Sequence, residues 1–361
     1  MFIALVPLLY LEYYIIFLGG NNMGRKVGLQ TVELLTKPRL IATYTVVGPK
    51  EGEGPLKDNF DEILEDDLCG CKTFESAESK MQLHVVQEVL KKAHLKEQDI
   101  SYVFAGDLIN QLMPSCFMAR EVDIPFLGLY GACSTFIEAL SLASICLEAD
   151  IGNHMMAVSS SHFSSSERQF RVPLEMGSQR APSSQWTVTG AAAVVLAKKG
   201  NNVPRVTHIT LGKVKDYGIT DPNEMGAAMA PAAVDTIKQH FQDTGRKPSD
   251  YDIIVSGDLG SVGKQITTEL LKEYGYNIGS NYIDCGDEIF DCKSQSTNCG
   301  GSGAGCSATV MSSMIYKGMI QKKYKKVLLI ATGALLSTIS NYQGETIPGI
   351  AHAIALEFGG E

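Results

Sequence analysis

The segment Gly131-Ala132-Cys133-Ser134-Thr135 stands directly before an apolar, helix-compatible stretch that runs to about Glu148. A thiol at a helix start meets unpaired N–H groups and the positive end of the helix dipole, so it ionises readily and can act as a nucleophile. Nucleophilic chemistry also needs a proton acceptor, usually histidine, and donors that hold a developing oxyanion. The chain has 7 histidines. His84, His94 and His240 fall on predicted helices, His208 on a β-like stretch, and His352 in a closing strand that suits a core residue. His154 borders a strand. His162, in Ser159-Ser160-Ser161-His162, follows the strand after the Cys133 helix; the spacing allows a pocket-mouth position or a solvated loop.

The remaining polar groups suit an anion better than a reaction. Helix N-terminal N–H groups near Cys133 and Ser134 attract carboxylates. Gly300–Gly305, with Gly301 and Ser302, offers backbone that a ligand can approach closely, or a place where helices pack tightly. Arg168 and Arg171 offer bidentate donors to a dicarboxylate, or ion pairs at a surface or dimer interface. The 9 cysteines are odd in number and scattered through a long chain, which favours reduced thiols over a disulfide framework. Cys285, Cys292, Cys299 and Cys306 recur every seven residues without a compact C-x-x-C, so no metal site and no cofactor is expected.

The elements that must position these groups come in two matching sets. Tyr102–Leu108 (YVFAGDL) and Ile253–Leu259 (IIVSGDL) are apolar strands ending in Gly-Asp-Leu, each preceded by an amphipathic helix, Ala77–Ala93 and Ala230–Thr244. The Cys133 helix matches a second one opening at Gly303-Ala304-Gly305-Cys306 and ending near Lys317. His154–Ser160 matches Lys326–Thr332, and Gly190–Leu196 matches Gly349–Leu356. Two α/β units side by side follow, an N-terminal half over 23–200 and a C-terminal half over 201–361. Asp107 and Asp258 close the paired strands, either as turn caps or as residues lining a site at the strand ends.

A length of 361 residues with 45% hydrophobic and 20% charged residues is ample for a large core, and a net charge of −9 argues against nucleic acid as a partner. Met1–Gly20 is almost continuously apolar and long enough to span a bilayer, yet it carries Glu12 and no basic flank. Gly19-Gly20-Asn21-Asn22-Met23 back-translates to a ribosome-binding site before a start codon, so residues 1–22 are read as a mis-assigned extension and Met23 as the start.

Gly131–Thr135 before an apolar helix, in a duplicated α/β chain, resembles the nucleophile segment of the thiolase and 3-oxoacyl synthase superfamily. That resemblance implies its duplicated five-layer αβαβα fold and a homodimer. Gly48–Leu56 (GPKEGEGPL), Ala105–Gln111 (AGDLINQ), Glu167–Arg171 (ERQFR), Gly218–Pro222 (GITDP), Met229–Ala233 (MAPAA) and Ala331–Ser337 (ATGALLS) are similar to one family within it, the stage V sporulation protein AD family of spore-forming Firmicutes. The resemblance runs from about Gly24 to the end of the chain. It implies a part in moving dipicolinic acid, as its calcium chelate, into the developing spore and in its release at germination. It also implies membrane-protein partners from the same stage V sporulation A operon and a peripheral place on the inner spore membrane.

The superfamily's catalytic partners are missing from the matching positions. Where synthases of the third type carry His-Gln-Ala-Asn, this chain reads Ser256-Gly257-Asp258-Leu259. At the later Gly-rich segment, where thiolases show Gly-His-Pro and synthases Gly-Asn, it reads Asn298-Cys299-Gly300-Gly301-Ser302-Gly303. No second cysteine occurs near Ala331–Leu335. The expectation is therefore a non-catalytic binding protein for dipicolinic acid or its calcium chelate. Its site is expected to draw on Cys133, Ser134, Asp107, His162, Arg168, Asp258, Gly301 and Ser302, with Asp107 and Asp258 reaching a calcium ion or a pyridine N–H. The alternative is an acyl transferase or 3-oxoacyl synthase using Cys133, with His162 or an unrecognised group as base.

Overall fold

The strands that carry the fold are buried on both faces, and their composition says so before their pairing does. Gly190–Ala197 reads GAAAVVLA and is buried at every position; such runs have no polar face to turn to water and must be covered by helices on both sides. The computed structural model describes residues 24–171 and 179–359. The apolar stretch Met1–Gly20 and the proposed start at Met23 lie outside them.

In chain order the first half contributes β1 (Arg39–Val47), α1 (Phe74–Ala93), β2 (Tyr102–Gly106), α2 (Met113–Arg120), β3 (Phe126–Gly128), α3 (Thr135–Glu148), β4 (His154–Ser161), α4 (Phe163–Phe170) and β5 (Gly190–Ala197). The second contributes β6 (Arg205–Thr210), α5 (Met225–Thr244), β7 (Ile253–Ser256), α6 (Gly260–Glu273), β8 (Tyr282–Asp284), α7 (Ala304–Val310), β9 (Lys326–Ala334) and β10 (Gly349–Glu357). Strand order is β3-β2-β4-β5-β1 in the first set and β8-β7-β9-β10-β6 in the second. Senses match as well. The β2 pairings with β3 and β4 are parallel, as are those of β7 with β8 and β9, whereas β4–β5, β5–β1, β9–β10 and β10–β6 are antiparallel. The two sets join where Arg205 pairs with Arg39.

Five layers result. On one outside, α1 covers β1, β4 and β5; on the other, α5 covers β9 and β10. Between the sheets, α3 touches β2 and β4 of its own half and β9 and β10 of the other, while α7 lies against β1, β4 and β5. This is the duplicated αβαβα arrangement expected from the sequence. Two helix starts differ from expectation. The Thr73 hydroxyl accepts the Ser76 N–H at 3.2 Å, so α1 begins at Phe74, ahead of Ala77. Helix α5 begins at Met225 and runs through Pro231, because Gly226 and Ala228–Val234 are buried and packing outweighs the lost N–H. No described helix is long and apolar enough to cross a membrane.

Candidate functional site

The turn before α3 is held by its own polar groups. Ser134 donates its N–H and its hydroxyl to Gly131 O at 3.0 and 2.7 Å. The Thr135 hydroxyl donates to Ala132 O at 2.7 Å and accepts the Gly131 N–H at 3.0 Å. Ala132 takes φ 50°, a left-handed backbone that costs a non-glycine residue energy and is kept where the surroundings enforce it. Gly333 of β9 supplies part of that enforcement: a Cβ there would stand 2.3 Å from Gly131 O, so only glycine lets the second half close on the turn. The turn presents Cys133 while leaving it 5% exposed.

Asp258, just past β7, meets that thiol. Its carboxyl group neighbours the sulfur and accepts from the Thr332 hydroxyl at 2.7 Å, the Gly303 N–H at 3.0 Å and the Ser302 hydroxyl at 3.2 Å. Complete burial raises Asp258 as well. Burial pushes the thiol well above its ordinary value and the neighbouring carboxylate pushes it further, against weaker help from the Gly303 N–H and the Ser302 hydroxyl. A helix start favours thiolate, but here desolvation and a like charge outweigh it. Burial raises both groups, so the sulfur is a neutral thiol, and no histidine lines the cavity beside it.

Asp258 is itself fixed from behind. Gln185 donates its amide to Asp258 O at 2.7 Å and to Gly301 O at 2.9 Å, tying together the two loops of the second half that reach the thiol. Asp284, fully buried, accepts the Leu259, Gly260 and Gly286 N–H groups at 2.8–3.0 Å and so fixes the turn that carries Asp258. Burial pushes Asp284 up to about 7. Asp284 reads in sequence only as a cap for the turn at Gly286, and Gln185 carries no signal, because the partners that tie both to Asp258 lie far away in the chain.

Cys133 lines a narrow cavity, with about 30 Å³ open to the centre of a water molecule, that continues outward into a wider mouth. Leu108, Phe170, Met225 and Leu336 make its apolar walls; Tyr130, Ser166, Arg171, Thr187 and Ser302 supply polar groups. None of the lining residues is a histidine, an aspartate or a glutamate. Tyr130, Phe170 and Leu336 also border an outer vestibule bounded by Ile109–Leu112. Helix α4 sets one wall, with Ser166 and Phe170 one turn apart on a shared face. Behind it, Glu167 binds Arg171 and Arg180, the latter at 2.9 Å, and all three side chains are largely buried. Arg180 lies 5.2 Å from the Trp186 ring, which stacks on Phe163 at 3.7 Å.

The other expected site residues fall in different places. Ser134 is buried, does not line the cavity, and has both donors committed to Gly131 O. Asp107 is a turn cap: it accepts the Ile109 N–H at 2.8 Å and both the N–H and hydroxyl of Ser115 at 2.9 and 2.5 Å. Gly301 serves packing, since a Cβ would stand 2.7 Å from Ile289 Cγ2 and 3.3 Å from Cys306 Sγ. His162 caps α4: its Nδ1 accepts the Ser164 N–H at 3.2 Å and its Nε2 donates to Asp67 O at 2.8 Å. Burial lowers its pKa, so it is a neutral ring with both nitrogens occupied. Arg168 points to Glu75 with 45% of its side chain exposed, whereas Arg171 reaches the cavity. Ser302 and Asp258 do come together with Cys133. In the second half, His240 is bonded to Thr210 and Tyr251, His208 to Thr207, and His352 accepts the Gly212 N–H. Among the described residues no group of three or more His, Cys, Asp or Glu is placed to hold a metal.

Comparison with known proteins gives the frame for this geometry. The family model for stage V sporulation protein AD matches residues 28–357. Stage V sporulation protein AD of Bacillus subtilis (strain 168) is 44% identical over 316 residues, covering 88% of this chain and 93% of that protein. Among solved structures, 3-oxoacyl-(acyl carrier protein) synthase III of Xanthomonas oryzae superposes with a TM-score of 0.55 at 13% identity, covering 92% of this chain and 100% of that one. Acetamide-bound OleA of Xanthomonas campestris gives 0.53 at 15% identity, with 92% and 100% covered. At such identity these two structures establish the fold.

Proposed function

Because the chain belongs to the stage V sporulation protein AD family, we propose that its Cys133 cavity is a receptacle for dipicolinic acid, free or as its calcium chelate, and that no carbon–carbon bond chemistry occurs there. The observation that carries this reading is the burial of Cys133 beside Asp258 in a cavity that no histidine lines. A condensing site needs a thiolate and a base that can take and return protons. An anionic neighbour opposes the first requirement, and the cavity lining offers no imidazole for the second. What remains is an apolar pocket with a buried guanidinium and hydroxyls, which suits a small aromatic carboxylate.

In this reading the protein is a sporulation component that presents dipicolinic acid for uptake into the forespore and takes part in its release at germination. It works as a homodimer held at the inner spore membrane by membrane proteins of the same operon. The competing reading, an acyl transferase, draws on the retained thiol at a helix start and on the strained Ala132. Calorimetric titration with dipicolinate and with its calcium chelate separates the two. The binding reading expects saturable 1:1 binding that Cys133→Ala alters and that a surface change such as Lys272→Ala does not. Equal affinity in both variants would move the ligand elsewhere.

A further inference from the structure

Two residues of the cavity wall each carry a buried polar atom with no partner among the described residues, Ser166 Oγ and Arg171 Nε. Their neighbours do not explain them. Ser166 is 2% exposed, and its backbone N–H is used by the helix, donating to His162 O. Arg171 keeps 8% of its side chain exposed and binds Glu167 through another nitrogen, leaving Nε unused. A buried donor left without a partner is destabilising, more so when charged, so two on one wall call for an occupant.

The charge of that wall narrows the occupant's chemistry. Arg171 and Arg180 share the single carboxylate of Glu167, which leaves one positive charge over. No acidic residue lines the cavity to balance it. Asp258 stands behind the lining, its pKa raised by complete burial and its oxygens accepting from Thr332, Gly303 and Ser302, so it offsets little of that charge. A free cation is therefore disfavoured in this space, and an anion of one charge is favoured. Phe170, one turn after Ser166 on α4, adds an aromatic side chain to the same cavity wall.

We infer that Arg171 and Ser166 are the carboxylate-recognition pair of this cavity, with Nε–H and Oγ–H each donating to one oxygen of a single ligand carboxylate, and with Glu167 as the residue that positions the guanidinium. This rests on the cavity being a binding site, as proposed above, and adds which atoms read the ligand and which group they read. A planar carboxylate matches two donors, one planar and one rotatable, and its ring lies along Phe170. An isosteric amide brings its own N–H groups against the guanidinium and is rejected.

Calorimetry with full-length protein tests this, using dipicolinate and the uncharged pyridine-2,6-dicarboxamide as probes. The wild type is expected to bind dipicolinate and to bind the diamide about 10- to 100-fold more weakly, the ratio expected for hydrogen bonds to a charged group. Arg171→Met should weaken dipicolinate binding by about the same factor and erase the preference over the diamide, while Arg171→Lys recovers part of it. Ser166→Ala removes a hydroxyl that has no protein partner, so it should leave the melting temperature unchanged and still weaken dipicolinate several-fold. Wild-type affinity in both Ser166→Ala and Arg171→Met overturns the assignment while leaving the cavity a binding site. Failure of the wild type to bind dipicolinate at all overturns the binding reading itself.

Discussion

Asp258→Asn is the sharpest perturbation the site offers, because it keeps the shape of the side chain and removes its charge. In the wild type the thiol faces burial and a carboxylate together. After burial, the Asp258 carboxyl is the next cause that raises the thiol, so removing its charge lowers the thiol's pKa. Burial remains in the variant, so the thiol stays protonated at neutral pH. Intrinsic nucleophilicity falls as a thiol becomes more acidic, with a Brønsted slope near one half, so about a hundredfold gain in thiolate becomes roughly a 10-fold gain in rate. The assay is iodoacetamide alkylation at pH 8, followed on the Cys133 peptide by mass spectrometry because the chain holds 9 cysteines. Access to the sulfur is the same in both proteins, so the ratio reports ionisation. Equal rates, or a wild-type Cys133 that titrates below pH 8, would refute the claim that Asp258 holds the thiol protonated.

Other expectations follow from neighbouring contacts. His162→Ala should cost about 1 kcal/mol by removing a helix cap, visible as a lower melting temperature, and should leave Cys133 alkylation unchanged; a fall in that rate would make His162 a base. Gly333→Ala drives a Cβ to 2.3 Å from Gly131 O and should cost about 1–3 kcal/mol or more, with loss of dipicolinate binding, since the displaced turn carries Cys133. Glu51 is fully buried, with Oε1 accepting the Thr189 N–H and Oε2 unpartnered, and burial pushes it from an ordinary 4.5 to about 8. The native state thus holds a proton that the unfolded chain releases between those values. Stability from this group is complete below about pH 4.5 and is lost as pH rises through about 8. Melting curves from pH 5 to 8.5 should show that decline in the wild type and a flatter profile in Glu51→Gln.

Much of the fold was legible because its strands are covered on both faces, so Gly190–Ala197 and Val327–Ala331 read as unbroken apolar runs, and because those runs recur in one order twice. The thiol, Asp258 and Ser302 were legible too, each at the end of an element that the duplication brings to the centre. The rest depends on contacts that spacing does not encode. Arg168 and Arg171 are three residues apart, and only the packing of α4 decides that one meets Glu75 at the surface and the other the cavity. His162 looked like a free imidazole because its partner, the carbonyl of Asp67, lies 95 residues earlier in the chain. Ser134 looked like an anion donor because the left-handed Ala132, which folds both its donors back on Gly131, is invisible in a sequence of ordinary residue types. Ser166 was one serine in a run of three, marked only by where the helix points it.

Incubation of the purified protein with acetyl-CoA and malonyl-CoA, read by intact mass and by release of free CoA, bears most directly on whether the cavity binds or reacts. The account predicts an unmodified chain and no CoA release above a Cys133→Ala control. An acyl adduct on Cys133 that forms and turns over would contradict it.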